Sequence, residues 1–152
     1  MLKKKTKKYY FSVEGETEKW YFDWLQEKIN SEPDAKCKVN IEKEKCKNPK
    51  SWVKKLKIFS KISITNVFDY EGNDKEHVEN FKRTLKLMKE ASQLGKQIKY
   101  NLGYSNFTFE LWMILHKIDF NKPLSNRDQY LQYINSAYNQ SFKSLITVRQ
   151  DQ

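Results

Sequence analysis

Three carboxylates follow strand-like segments of this sequence, at positions that suit metal-dependent chemistry. Glu14 comes directly after the β-rich run 9–13 and precedes Gly15, a residue that lets the backbone turn tightly. Asp69 and Glu71 stand two residues apart at the end of another such run, so their side chains share one face if the strand persists. Mg²⁺ binds one or two protein carboxylates and completes its shell with water and substrate phosphate. These residues therefore suit a Mg²⁺ or Mn²⁺ site for phosphodiester cleavage, or else they form turns and cap helices.

A fourth carboxylate, Glu110, lies in the almost uninterrupted apolar segment 107–115, which predicts a buried helix. Carboxylates are almost never fully buried without a partner. Either Glu110 is turned to solvent, or it pairs with a cation, a backbone end or a component of the site. His116 is expected to be a helix-terminus or core histidine. Ser105 and Asn106 are expected to be caps.

The charge balance favours an anionic partner. The chain has 29 Lys and Arg against 19 Asp and Glu, a formal net charge of +10. Such an excess points to nucleic acid first and to a membrane surface second. Among the lysine clusters, Lys54, Lys55 and Lys57 are predicted to contact the phosphates of DNA or RNA. The alternative for any single cluster is that its lysines only solvate the outer face of a helix.

Other function classes are excluded or disfavoured by composition. The two cysteines cannot build a disulfide framework, and with only two histidines a structural zinc site is disfavoured. The longest apolar run, residues 111–115, is far shorter than the ~20 residues of a membrane span. No apolar signal-peptide core follows the basic N-terminus. We therefore expect a cytoplasmic protein with no membrane partner.

Strand-like and helix-like segments alternate along the chain. Their βαβαβαβα order predicts an α/β fold with a mostly parallel four-stranded sheet and helices on both faces. We expect one domain over residues 1–152, with a basic arm at 1–8 and a helical extension from about 117 to 152. The predicted strands cover residues 9–13, 38–44, 64–69 and 97–102. Because ligands gather beyond the carboxyl ends of such strands, Glu14, the turn 69–74 and residues 103–106 are expected along one edge.

Local signals predict several helix boundaries and buried faces. Asn48 and Pro49 open one helix, Asp74 caps the next, and residues 125–128 match a capping box. The first helix, which extends to about residue 29, is expected to bury a mainly aromatic stripe. That stripe comprises Trp20, Tyr21, Trp24, Leu25 and Ile29. The second helix is expected to bury Trp52, Leu56 and Phe59, and the third Val78, Phe81, Leu85 and Met88.

Three short motifs resemble the RloB/AbiLii family, which occurs in prokaryotic restriction-linked and abortive-infection loci. The run Phe-Ser-Val-Glu-Gly-Glu-Thr-Glu-x-x-Tyr-Phe, from residue 11, is similar to the family's opening motif. Residues 67–71 fall where the family has an Asp-x-Asp-type strand end. The stretch 105–116 is similar to the family's most distinctive segment. The motifs occur in the family's order and cover roughly residues 9–116.

The resemblance implies a Toprim-like fold, the α/β domain of topoisomerases, primases and OLD nucleases, with Mg²⁺-dependent phosphodiester chemistry. By position, Glu14 matches the Toprim glutamate, a general acid/base or metal ligand. Asp69 and Glu71 match the acidic pair, although Glu71 departs from the usual aspartate. We expect a further group of residues to lie near the site. These are Gly15, Ser105, Asn106, Glu110 and His116.

The function that the resemblance implies is a metal-dependent nuclease of a phage-defence, abortive-infection system. Family systems often pair such a protein with an ATPase, so an ATPase partner is possible. The alternative is a non-catalytic nucleic-acid-binding or assembly module that keeps the fold. A topoisomerase or primase component would need domains and nucleophiles that these residues do not supply.

Overall fold

A computed structural model describes residues 4–46, 48–70 and 72–145, with Asn106 described through its backbone alone. Strands and helices alternate along these residues. None of the helices in this described part has the length and apolar character of a membrane span. The strands are β1 (Thr6–Val13), β2 (Lys38–Lys45), β3 (Ile62–Tyr70) and β4 (Ile98–Asn106). The α-helices are α1 (Glu16–Ser31), α2 (Pro49–Lys55), α3 (Lys75–Ser92), α4 (Glu110–Leu115) and α5 (Tyr130–Tyr138).

The four strands form one all-parallel sheet in the order β2-β1-β3-β4. Tyr9 pairs with Ile41 of β2, and Ser12 pairs with Asn66 of β3. Consecutive parallel strands need crossover connections, and α1, α2 and α3 supply them. α2 joins β2 to β3, which lie on opposite sides of β1. The predicted α/β fold with a four-stranded parallel sheet is confirmed.

The chain groups into two compact units. The first unit comprises Met1–Val67 and Asn80–Gly103, and the second comprises Phe68–Glu79 and Tyr104–Gln152. A cluster in the first unit packs Trp52, Val53, Ile64 and Ala91 together. A cluster in the second unit packs Met113, Ile114, Tyr130, Ile134 and Leu145. Each unit therefore has apolar packing of its own.

All four strands are longer than the sequence predicted, and the extensions of β1 and β4 change the assignment of neighbouring segments. β1 begins at Thr6, so residues 6–8 of the expected basic arm belong to the sheet, and residues 1–3 lie outside the described part. β4 continues to Asn106, so residues 103–106 extend the strand instead of forming a turn after it. Backbone hydrogen bonding explains the second difference, since Phe107 N still donates to Tyr70 O at 3.0 Å.

The buried face of α1 differs from the predicted aromatic stripe. Trp20 and Trp24 are 46% and 49% exposed, whereas Phe22 is buried. On the inner side, Gln26 Oε1 accepts from Ile41 N at 2.6 Å, and Asn30 accepts from Val39 N and donates to Val39 O at 2.8 and 2.9 Å. β2 is an edge strand, so its outward backbone groups need such partners. Polar side chains therefore take the inner side of α1.

The prediction for the start of α2 is confirmed, whereas the prediction for its end is wrong. Asn48 caps the helix as predicted, because its side chain accepts from Lys50 N and Ser51 N, and Pro49 occupies the first turn. The helix ends at Lys55, earlier than expected, and the side chain of Phe59 is 96% exposed. The prediction that Phe59 packs in the core is wrong.

Lys96 explains how the chain leaves α2. Its ammonium donates to the carbonyl oxygens of Val53, Lys54 and Leu56 at 2.7, 3.0 and 2.6 Å. A cation at a helix C-terminus satisfies carbonyls that have no partner within the helix and complements the helix dipole. One side chain from a distant part of the sequence thus fixes the path of the backbone after α2.

Local caps elsewhere follow the prediction closely. Asp74 Oδ1 accepts from Glu76 N and His77 N, both at 3.1 Å, at the start of α3. The capping box is present one residue later than its pattern suggested, with Asn126 as the cap and Gln129 as its reciprocal partner. In α3, Met88 is buried as expected, but Leu85 is 37% exposed.

Replacing Lys96 by Met should lower the free energy of unfolding by about 1.5–3 kcal/mol, the range for hydrogen bonds to a charged group. The methionine keeps most of the side-chain length and removes only the ammonium. Chemical denaturation checks this, with Lys99→Met as the control, because Lys99 is exposed on β4. Equal denaturation midpoints for the two variants would contradict the assigned role of Lys96.

Candidate functional site

The turn after β1 holds the first candidate residues, in the first unit. Glu14 directly follows β1 and is exposed, and Gly15 is the N-cap residue of α1. Gly15 has φ −124° and ψ 176°, an extended conformation that any residue adopts, so the bend between β1 and α1 does not require glycine's conformational freedom. A Cβ at Gly15 would instead lie 2.7 Å from Oε2 of Glu18. The absence of a side chain at Gly15 leaves room for the Glu18 carboxylate.

Glu18 is a buried carboxylate that sequence reasoning missed. It lies in the first turn of α1, where the helix dipole favours negative charge, and its burial was not predicted. The signal was present, because Glu18 and Phe22 are four residues apart and share the buried face of the helix. A buried carboxylate therefore lies beside Gly15, next to the candidate turn.

A polar group buried in the sheet lies two residues before Glu14. The Ser12 hydroxyl donates to Asn66 Oδ1 across the β1–β3 pair, and both residues are buried. Burial raises the pKa of Tyr100, on β4, to about 12. Buried hydrogen bonds of this kind hold neighbouring strands in one register.

In the second unit, two acidic side chains act on Tyr130. Burial raises the pKa of the Tyr130 hydroxyl, and the negative charges of Asp69 and Glu110 raise it further. Asp69 lies in β3, with its Oδ1 atom buried. Glu110, at the start of α4, is fully buried. Asp69 and Glu110 therefore both lie close enough to the Tyr130 hydroxyl for their charges to affect its pKa.

Glu110 is paired with a cation. Of the two predicted alternatives, exposure to solvent or burial with a partner, the second is confirmed. Nη2 of Arg127 lies 3.6 Å from Oε1 of Glu110, and the Arg127 side chain is 40% exposed. The Glu110 backbone N–H donates to Oγ1 of the buried Thr108 at 3.2 Å. The sequence left open whether Glu110 is exposed or buried and paired, and it did not indicate Arg127, because the two residues belong to different elements.

The remaining candidates of the second unit have mixed outcomes. Ser105 is a buried residue of β4 that accepts from Trp112 Nε1 at 2.9 Å, so its prediction as a cap is wrong. Asn106 is the last residue of β4. His116 is the C-cap residue of α4 and is exposed, in agreement with a helix-terminus role. Glu71 lies outside the described residues.

A metal site needs several ligands close together. Within residues 4–46, 48–70 and 72–145, no three His, Cys, Asp or Glu side chains are grouped closely enough to hold a metal ion. The oxygen donors of Glu14, Asp69 and Glu71 nevertheless fit Mg²⁺ in their chemistry, since this hard cation prefers carboxylate oxygens and needs only one or two of them from a protein. These three residues stay the candidate ligands.

The net charge is divided unequally between the units. The first unit has 23 Lys and Arg against 10 Asp and Glu, a formal charge of +13. The second has 6 against 9, a formal charge of −3. The whole excess of positive charge therefore belongs to the first unit, where it raises the local concentration of anionic partners.

Lys54, Lys55 and Lys57 are the predicted phosphate contacts within this first unit. All three are exposed, and no carboxylate of the described residues lies within ion-pair distance of them. By contrast, Lys50 pairs with Glu90 at 2.7 Å. Within the part of the chain that the structure describes, no acidic side chain therefore competes for these three lysines.

A double-mutant cycle should measure the Glu110–Arg127 pair. Arg127→Met should cost about 2–3 kcal/mol, below the ~3–5 kcal/mol of a fully buried pair because Arg127 is partly solvated. Adding Glu110→Gln should restore part of this loss, since a neutral amide is easier to bury than a carboxylate without its cation. Urea denaturation gives the four stabilities, and Lys143→Met is the exposed control. Additive effects of the two changes would contradict the pairing.

Comparison with known proteins identifies the family. No curated protein and no solved structure matches this chain. The family model described as RloB-like protein matches residues 9–151, so the similarity extends well beyond the segment 9–116 that carries the three motifs. This match covers nearly the whole sequence, and the chain belongs to the RloB-like protein family.

Proposed function

We propose that this protein is a metal-dependent nuclease of a prokaryotic phage-defence system, acting in the cytoplasm on DNA or RNA. The observation that carries the proposal is the position of two acidic residues relative to the strands. Glu14 directly follows β1 and Asp69 is the penultimate residue of β3, and these are neighbouring parallel strands. In open α/β sheets, ligands gather beyond the carboxyl ends of the strands.

The proposed catalytic residues are Glu14, Asp69 and Glu71, which would also hold Mg²⁺ or Mn²⁺. A bound metal ion would offset negative charge on the phosphate and activate a water molecule. The Glu14 carboxylate would accept a proton from the attacking water or return one to the leaving oxygen, as a general acid/base. Its exposure supports this role, because a proton carrier must reach the substrate and exchange with solvent.

The first unit would supply the affinity for the substrate. Its charge of +13 attracts a polyanion, and binding would release counterions from the phosphate backbone. A carboxylate site would otherwise repel phosphate, so the positive charge compensates for this repulsion. Because systems of the RloB/AbiLii family often include an ATPase, we also propose that the protein works with an ATPase partner.

A non-catalytic binding or assembly module is the alternative function. Its affinity for nucleic acid would depend on salt and on lysine content but not on Mg²⁺. A nuclease would in addition cleave the nucleic acid in a metal-dependent reaction. Cleavage assays with and without the metal ion therefore distinguish the two functions.

Glu14→Gln and Asp69→Asn should each reduce phosphodiester cleavage by at least ~100-fold, the lower range for loss of a general acid/base group. Both changes keep side-chain size and remove one negative charge. Glu71→Gln should have a smaller effect if its departure from the family pattern places it away from the metal. The assay uses labelled single- and double-stranded DNA and RNA with Mg²⁺ or Mn²⁺.

Two matched variants control for the loss of a carboxylate as such. Glu44→Gln in the first unit and Glu79→Gln in the second remove exposed carboxylates and should leave cleavage unchanged. Binding measured without Mg²⁺ should hold or tighten in Glu14→Gln, because a repulsive charge has been removed. Wild-type cleavage that persists in both Glu14→Gln and Asp69→Asn would rule out these residues as the site.

The affinity for duplex DNA should fall linearly on a log–log plot against salt, by about 0.9 per bound phosphate. Replacing Lys54, Lys55 and Lys57 by Gln should make that slope shallower by about 0.9 for each phosphate that these lysines bind in the wild type. The control replaces three exposed lysines of the acidic second unit (Lys75, Lys122 and Lys143) and should leave the slope unchanged. An affinity independent of salt would argue against any phosphate binding.

A further inference from the structure

The end of α2 and the segment that joins it to β3 combine positive charge with an exposed aromatic ring. Residues 54–61, here called the basic loop, read Lys-Lys-Leu-Lys-Ile-Phe-Ser-Lys and contain no acidic residue. The four lysines are exposed, and Phe59 is 96% exposed, the most exposed of the large apolar side chains described. A single exposed apolar residue is ordinary on a protein surface, so its surroundings must decide its role.

The basic loop is anchored at its first residues. Lys96 holds the carbonyl oxygens of Val53, Lys54 and Leu56, and Leu56 N donates to Trp52 O at 3.2 Å. Leu56 is partly buried against the apolar cluster of the first unit. The base of the loop is therefore held in place while the ring of Phe59 projects into solvent. Such pre-organisation lowers the entropy cost of binding.

We propose that Phe59 stacks on an unpaired base of a single-stranded nucleic acid while the lysines of the basic loop contact its phosphates. Proteins that bind single strands combine a positively charged surface with aromatic rings on which bases stack. In a duplex the faces of the bases are already stacked on one another, so the ring has no face to cover. The inference deepens the proposed function, on which it rests, by naming the substrate class.

The charge around Phe59 favours nucleic acid over an apolar protein partner. Lys54, Lys55, Lys57 and Lys61 surround the ring in sequence, and an apolar binding groove would have to desolvate these charges without compensation. A polyanion supplies both the negative charge and the flat aromatic surface that this loop complements. An anionic membrane also supplies negative charge, but its interior is aliphatic and not aromatic. Binding to such a membrane is a separate outcome of the test.

The experiment compares Phe59→Leu, Phe59→Ala and Phe59→Trp by fluorescence anisotropy on labelled oligonucleotides of equal length, in EDTA so that nothing is cleaved. Phe59→Leu and Phe59→Ala should bind single strands about 5- to 150-fold more weakly, which corresponds to the ~1–3 kcal/mol of one stacked base. Phe59→Trp should bind at least as tightly as the wild type. Duplex affinity and the salt slope should stay unchanged in all three variants, because stacking involves no counterion release.

Trp24→Leu is the matched control, since Trp24 is an exposed aromatic residue of the same unit outside the basic loop. It should leave single-strand affinity unchanged. Equal single-strand affinity of Phe59→Leu and wild type would overturn the stacking role, as would an equal loss on duplex. Binding to vesicles of phosphatidylcholine and phosphatidylserine that depends on Phe59, without any effect on oligonucleotides, would assign the ring to a membrane instead.

The results also separate this inference from the proposed nuclease. Stacking on single strands with no cleavage under any metal condition would support the inference and overturn the nuclease. Cleavage that depends on Glu14, together with single-strand binding that is unchanged in the Phe59 variants, would support the nuclease and overturn the inference. A wild-type protein that binds no nucleic acid would overturn both.

Discussion

The parallel pairing of β1 with both of its neighbours is the constraint on which the rest of the structure depends. Because parallel strands cannot be joined by a tight turn, consecutive strands require crossovers. α1 joins β1 to β2, α2 joins β2 to β3 past β1, and α3 joins β3 to β4. The same constraint directs the carboxyl end of every strand to one edge of the sheet. The buried hydrogen bond between Ser12 and Asn66 joins β1 to β3 in a register that the two residues share.

Polar side chains, as much as apolar ones, complete this sheet. The outer edge of β2 would leave backbone groups without partners, and Gln26 and Asn30 of α1 bind them. As a result, α1 has its tryptophans on the exposed side. In the second unit, Arg127 compensates the buried charge of Glu110 in a similar way. In both cases a polar group that folding removes from water has received a specific partner.

The division of charge relates the fold to the proposed function. The first unit, at +13, holds the exposed lysines of the basic loop, and the second, at −3, holds Asp69 and Glu110. Lys96 connects stability with the proposed binding in the first unit, because its hydrogen bonds with the end of α2 also fix the base of the loop that presents Phe59. A lysine that looks equivalent to its neighbours in the sequence thus has a structural role, whereas Lys54, Lys55 and Lys57 are exposed and are proposed to bind phosphate.

The sequence by itself determined what depends on neighbouring residues: the alternation of strands and helices, and the caps at Asn48 and Asp74. It also predicted that the helix around Glu110 is buried, and it left two alternatives for Glu110 itself: exposure to solvent, or burial with a partner. Tertiary structure alone decided which side of α1 is buried, which cation pairs with Glu110, and that Phe59 points to solvent. Each of these depends on a partner distant in the sequence: the edge of β2, Arg127 and Lys96. Spacing along a chain reports which residues share a face, but only folding decides what that face meets.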